Sequence, residues 1–221
     1  MVIAIDGPAG AGKSTVAKAL ARDLGLRFLD TGAMYRALAV KAKRAGLGPE
    51  DGVAAAVLGQ QTEIGFSAGE PQRVLLDGED VTDAIRTLEI GELASALSAF
   101  SEIRRVLVAR QQVIVAAGGV VLEGRDATTV IAPHAHVKVY LTASLEERAR
   151  RRHVEMAAKG QAPAYGEVRQ EVERRDHRDI TRQDSPLSVA EGATVVETGG
   201  LSAEEVVNAI RLLADVAVRA G

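Results

Sequence analysis

Residues Gly7-Pro-Ala-Gly-Ala-Gly-Lys-Ser14 meet the spacing G-x-x-x-x-G-K-[ST] at every fixed position. What these residue types can do together is cradle a polyphosphate. Glycines let the backbone approach phosphate oxygens and let several N–H groups point into one concavity. Lys13 can reach terminal phosphates, and the Ser14 hydroxyl is a hard oxygen donor suited to Mg²⁺. The candidate phosphate-binding set is therefore Gly7, Pro8, Ala9, Gly10, Ala11, Gly12, Lys13, Ser14 and Thr15.

Three further constellations could carry chemistry. Asp30-Thr-Gly-Ala-Met-Tyr-Arg36 combines a turn glycine, Gly32, with Thr31 as a helix cap. An arginine at position 36 suits a bidentate grip on a second phosphate, although taken alone it reads as a solvated helix charge. Glu123-Gly-Arg-Asp126 sets two carboxylates and a guanidinium straight after an apolar run, where charge points to function or to a paired ion. Arg175, Arg178, Asp179 and Arg182 recur at i, i+3, i+4 and i+7, so a helix puts all four on one face. That stripe reads as a salt-bridged solvated face or as a surface that closes over phosphates. His134, His136, His153 and His177 have no metal-ligand spacing.

Elements must position these groups. Apolar runs predict strands at Val2–Ile5, Arg27–Asp30, Val120–Glu123, Val137–Leu141 and Thr194–Glu197. Helical periodicity predicts helices near 13–24, 33–46, 50–61, 102–117, 144–159, 165–182 and 202–219. Ser144 with Glu147, and Ser202 with Glu205, read as capping boxes; Ser101 reads as an N-cap and Gly118–Gly119 as a helix stop. Alternation of strands and helices implies an α/β fold, a mainly parallel five-stranded sheet with helices on both faces. Residues 62–83 break that rhythm. Short apolar pieces around Gly69-Glu-Pro71 and Asp77-Gly78 read as a small antiparallel meander inside an insertion spanning 55–100. The insertion reads equally as decoration or as part of the ligand edge. Gly160-Gln-Ala-Pro163 reads as the tip of a helical hairpin, a lid over about 148–175. One domain, 1–221, is expected, with 1–54 and 101–221 as its core.

Composition narrows the function classes. There are 27 basic and 30 acidic residues, a net charge of −3, and aromatics make up 3%. Neither a basic surface nor stacking platforms for nucleic acid follow from that balance. There is no cysteine, hence no disulfide, thiol nucleophile or thiolate metal site. No apolar run approaches a membrane span and no leader pattern precedes the first strand, so a cytoplasmic protein without a membrane partner is expected. No exposed apolar seam is evident, and a monomer is expected. A guanine-reading Asn-Lys-x-Asp, the mark of a GTPase switch, is missing from the sequence.

Taken together, the chain resembles the bacterial cytidylate kinases, which are nucleoside monophosphate kinases of the P-loop type. The resemblance covers essentially the full length. It rests on Gly7 through Thr15, Asp30 through Arg36, Gly78-Glu-Asp-Val-Thr-Asp-Ala-Ile-Arg-Thr87, Ser95 through Arg104, Glu123 through Asp126, and Arg174-Arg-Asp-His-Arg-Asp-Ile-Thr-Arg182, in that order. It implies a P-loop NTPase-type sheet, a monophosphate-binding insertion at 55–100 and a helical lid. The reaction it implies is transfer of the γ-phosphoryl group of ATP to CMP or dCMP, giving CDP or dCDP, with Mg²⁺.

The resemblance also implies roles. Ser95, Arg104 and Asp126 would read the cytosine edge. Arg175 and Asp179 would hold the ribose, with Tyr35 packing nearby, and Thr31 would belong to the CMP-binding set. Arg36, Arg125 and Arg182 would bind the monophosphate. Lys13, with a lid arginine such as Arg151 or Arg178, would meet the transferring group. Ser14 would take Mg²⁺, with Glu123 acting through water. The chain departs from the family pattern in one place. That pattern reads Asp-Gly-Arg-Asp, then an apolar residue, Gly and Thr; here Glu123 replaces the first Asp, and Ala127-Thr128-Thr129 follow Asp126. Loss of a glycine at 128 predicts a shifted turn after Asp126.

Overall fold

The computed structural model describes residues 1–69, 71–158, 160 and 163–220. The chain divides into two compact units, Met1–Leu29 with Ile114–Gly221, and Asp30–Val113. The second takes in the whole 55–100 stretch.

The first unit is built on a five-stranded sheet of β1 (Val2–Asp6), β2 (Arg27–Asp30), β6 (Val120–Gly124), β7 (Val137–Thr142) and β8 (Thr194–Glu197). Their spatial order is β2-β6-β1-β7-β8. β1 pairs in parallel with both β6 and β7, and β7 pairs in parallel with β8. All five residues of β1 and all five of β6 are buried, as expected of central parallel strands covered on both faces. Helices α1 (Lys13–Asp23) and α8 (Ala203–Ala220) lay Val16, Leu20, Val206 and Ile210 on Ile3, Ile5, Val121 and Val139. Burying these aliphatic side chains contributes about 1.5–3 kcal/mol each. α8 starts as its sequence predicts: Ser202 N–H donates to Glu205 Oε2 at 2.8 Å, and Glu205 N–H donates to Ser202 Oγ at 3.2 Å.

Register decides what the sheet presents. Asp6 is opposite Gly124 of β6 and Tyr140 of β7. The glycine-rich loop after β1 and the charged turn after β6 therefore leave the sheet side by side at its carboxyl edge, where open α/β sheets bind ligands. α6 (Leu145–Ala158) and α7 (Tyr165–Thr181) pack against each other in this unit. Of the expected hairpin tip, Gln161 and Ala162 lie outside the described residues, as does Lys159 of the expected lid.

The second unit holds α2 (Thr31–Arg44), α3 (Gly52–Gln60), α4 (Leu88–Leu97) and most of α5 (Ser101–Ala116). It also holds a three-stranded antiparallel sheet of β3 (Ile64–Phe66), β4 (Val74–Leu76) and β5 (Glu79–Asp80), the meander read from the sequence. In the expected turn at 69–71, Glu70 lies outside the described residues. Its core joins Ala37, Leu38, Leu76, Ile85, Leu97 and Leu107. Two expectations are corrected here. The cap of α2 is Asp30 rather than Thr31: its carboxylate accepts from Ala33 N–H at 2.8 Å, and Thr31 is already the first helical residue. α4, with no expected helix at its position, starts where the Thr87 hydroxyl accepts from Ile90 N–H at 3.3 Å. Among the described residues no helix is long and apolar enough to cross a membrane.

Candidate active site

The loop from Gly7 to Gly12 leaves β1 and ends at the N-terminus of α1. Gly12 caps that helix with φ 89°, a backbone that an L side chain resists. A Cβ on Gly10 would sit 2.9 Å from the Arg148 carbonyl oxygen, so only a bare Cα fits there. The helix N-terminus and successive loop amides make this an anion site by construction.

Lys13 is 6% exposed and its Nζ donates to the Pro8 carbonyl at 2.8 Å, folding the side chain back over the loop. Burial first, and then the Arg125 guanidinium, lowers the ammonium to about 7, while Glu123, Asp179 and Asp6 pull the other way. Ser14 Oγ donates to Glu123 Oε1 at 2.5 Å. A hydroxyl and a carboxylate joined in this way form a hard oxygen pair, the donor chemistry that Mg²⁺ takes. Among the described residues no group of three or more His, Cys, Asp or Glu could hold a metal ion.

Asp6, fully buried at the end of β1, holds the turn after β6. Its carboxylate accepts from Ala127 N–H at 2.8 Å, from Thr128 N–H at 2.7 Å and from the Thr128 hydroxyl at 2.5 Å. Burial raises its carboxyl above the ordinary value even though these hydrogen bonds pull it down. Residues Ala127–Ile131 form a single π-helical turn, and Thr128 is absent from the described residues with positive φ. A threonine therefore serves where a glycine was expected: its backbone needs no left-handed conformation, and its hydroxyl adds a bond.

Asp179 draws two arginines together. Arg125 Nε donates to Asp179 Oδ2 at 2.7 Å, and Arg182 lies 3.6 Å from Asp179 Oδ1 and 3.9 Å from Asp126 Oδ1. Arg182 stands just past the end of α7 with extended backbone, and its Nε donates to the Ser185 carbonyl at 2.8 Å. Burial works to lower the Arg125 guanidinium, but Asp179 and Glu123 outweigh it and raise it above its ordinary value. Burial likewise works to raise Asp179, and Arg125 with Arg182 outweighs it and holds the carboxyl below its ordinary 3.8. Such a lowered carboxyl gives the fold stability that is present above the ordinary value and lost as pH falls through the folded one. Asp179→Asn should cost about 3 kcal/mol near neutral pH, because buried Arg182 and half-buried Arg125 lose their shared anion. The gap between wild type and variant in urea unfolding should narrow from about pH 7 to about pH 3; an equal gap at both would refute this account.

The first unit thus brings together Lys13, Ser14, Glu123, Arg125, Asp126, Asp179 and Arg182. Arg175 is on the same helix, 3.4 Å from Glu171 Oε1. Arg178 is half-buried on α7. Arg151 is tethered: Nε donates to Glu147 Oε1 at 2.7 Å, and its other nitrogens donate to the Thr198 hydroxyl at 2.9 Å and the Thr198 carbonyl at 2.6 Å. The second unit makes its own grouping. Arg104 is 3% exposed and lies over the Tyr35 ring at 5.7 Å. Ser95 is on α4, the helix that packs on α2, which carries Thr31, Tyr35 and Arg36. A Cβ on Gly32 would lie 3.7 Å from the Arg36 guanidinium, so that side chain folds over its own first turn.

Sequence reasoning missed Asp6, Arg148 and Asp176. One signal was available: Asp6 ends an otherwise apolar strand directly before the glycine-rich loop, and buried charge of that kind must be paired.

The family model for cytidylate kinase matches residues 3–215. The chain is 52% identical to the cytidylate kinase of Carboxydothermus hydrogenoformans over 208 residues, 94% of each chain. It is 48% identical to the cytidylate kinase of Listeria welshimeri over 213 residues, 96% of this chain and 95% of the other. Among solved structures, a gluconokinase from Sinorhizobium meliloti aligns with a TM-score of 0.51 at 18% identity, covering 99% of this chain and 94% of that one, a likeness of fold.

Proposed function

The chain belongs to the cytidylate kinase family, and from that premise we propose that it transfers the γ-phosphoryl group of ATP to CMP or dCMP, giving ADP and CDP or dCDP. One observation carries the reading furthest: a buried lysine on a phosphate-cradling loop and a cluster of arginines bound to a common carboxylate stand in one compact unit.

An acceptor phosphate oxygen attacks the γ-phosphorus in line, and the bond to the bridging oxygen of ADP breaks. The attacking oxygen is already ionised, so no strong general base is required. What the protein contributes is position and charge. The loop amides and Lys13 neutralise the donor phosphates. Arg36, Arg125 and Arg182 take the acceptor phosphate, and Arg175 and Asp179 the ribose; Thr31 and Tyr35 also belong to the CMP-binding set. Ser95, Arg104 and Asp126 read the base, Asp126 accepting from the exocyclic amine of cytosine. Arg151 and Arg178 are the candidates for the transferring group. Ser14, with Glu123 through water, would hold Mg²⁺, which when bound neutralises charge on the donor phosphates.

The test is a coupled assay with ATP and a panel of monophosphates. CMP and dCMP should turn over at least about 100-fold more efficiently than UMP, because a carboxylate facing the uracil carbonyl leaves two acceptors unpaired. No turnover of CMP or dCMP would refute the proposal. ATP hydrolysis that is fast without an acceptor and indifferent to CMP would also count against it.

A further inference from the structure

Ala9, in the middle of the phosphate loop, is held on both sides of its backbone by side chains from far along the chain. Its N–H donates to Asp176 Oδ1 at 3.1 Å, and its carbonyl accepts from Arg148 NH1 at 3.0 Å. Arg148 and Asp176 are also ion-paired with each other, and Arg148 Nε donates to the Ala143 carbonyl at 3.0 Å. The two side chains are 9% and 12% exposed. Arg148 is on α6 and Asp176 on α7, in the same compact unit as the loop.

In a phosphate loop the amides are the phosphate donors. The Ala9 amide is already committed to a carboxylate, so this peptide is an anchor for the loop. The N–H lies in the Pro8–Ala9 peptide plane and the carbonyl in the Ala9–Gly10 plane, so the first bond fixes the one and the second fixes the Ala9–Gly10 plane. That plane sets the direction in which the chain enters Gly10 and the amides that follow. Gly10 shows how close the fit is, since a side chain there would strike the backbone of Arg148 itself.

The anchor's far end is equally informative. Asp176 follows Arg175 directly and precedes Asp179 by three residues, about one turn of α7. Asp179 is the carboxylate that binds Arg125 and Arg182. A single rigid helix therefore holds the donor's phosphate loop with one carboxylate and the arginine cluster with the next. A shift of about 1 Å between reacting groups can cost 100-fold in rate.

We infer that Arg148 and Asp176 are positioning residues for phosphoryl transfer, clamping the Ala9 peptide so that the donor phosphates stand in register with the acceptor-binding groups of α7. The inference rests on the reading of the chain as a nucleoside monophosphate kinase. No recognition of base or sugar falls to the clamp, so it should act on kcat and leave acceptor affinity alone.

Asp176→Ala should lower kcat about 10- to 100-fold with the KM for CMP within about threefold of wild type. Asp176→Asn keeps an oxygen for the Ala9 amide and should recover much of that loss. Arg148→Met should resemble Asp176→Ala. A second readout needs no turnover: amide NMR of the nucleotide-free full chain. The Ala9 N–H should shift and exchange faster in Asp176→Ala, and stay near wild type in Asp176→Asn. Wild-type kcat in Asp176→Ala, an unmoved Ala9 amide, or a CMP KM that rises as much as kcat falls would each overturn the clamp. Should Asp176→Ala not fold, Asp176→Asn and Arg148→Met carry both readouts. Should the wild-type protein turn over no CMP, the kinase reading fails, and the Ala9 amide still tests whether the contact exists.

Discussion

Replacing Lys13 with methionine should lower kcat about a thousandfold while the unfolding midpoint of the nucleotide-free protein stays close to wild type. Removing one preorganised donor from a water-poor site costs about 10²–10³ in rate, and Lys13 is a charged donor aimed along the phosphate loop. Its burial and its bond to the Pro8 carbonyl hold the ammonium in place before any ligand arrives. Burial, followed by the nearby Arg125, lowers it to about 7, so this charge costs the fold free energy, and its removal offsets the contacts that are lost. Methionine fills the space of the aliphatic stem and leaves the Pro8 carbonyl without its partner, a loss of about 1 kcal/mol. The measurement is steady-state turnover alongside thermal unfolding. A loss in kcat below about tenfold would remove Lys13 from the transferring group.

Asp126→Ala should lower the preference for CMP over UMP about 100-fold, measured as the ratio of kcat/KM, with MgATP binding unchanged. The backbone around Asp126 is tied independently of its side chain. The Asp126 carbonyl accepts from Val130 N–H and Ile131 N–H, both at 3.0 Å, and the two residues after it bond to Asp6. Arg182, which loses an anion at 3.9 Å, keeps Asp179 and the Ser185 carbonyl. The truncation therefore removes an acceptor without reshaping the turn. Unchanged selectivity would assign base reading to Ser95 and Arg104 instead.

Much of this molecule was legible in order along the chain. The loop motif, the five sheet strands and the small meander all appear where their periodicity and turn residues place them. The differences have local causes. α2 begins earlier than expected because the Asp30 carboxylate is a competent cap one residue before Thr31. α4 escaped notice because Gly91 interrupts a short segment whose start depends on one threonine, Thr87. In the turn after Asp126, where the family pattern has a glycine, Thr128 meets Asp6 with both its amide and its hydroxyl, a pairing not visible along the chain.

What the sequence determined by itself were properties set within a few residues: the curvature of a glycine-rich loop, the periods of strands and helices, and Ser202 capping α8. Only the tertiary structure decided which buried charge answers which. Asp6 bonds residues 121 and 122 positions away, Asp176 bonds one 167 positions away, and Arg148 one 139 positions away. Burial strips water from each of these groups and obliges it to find a partner. Which partner stands within reach is fixed by strand order and helix packing, and those arise only when the whole chain closes on its core.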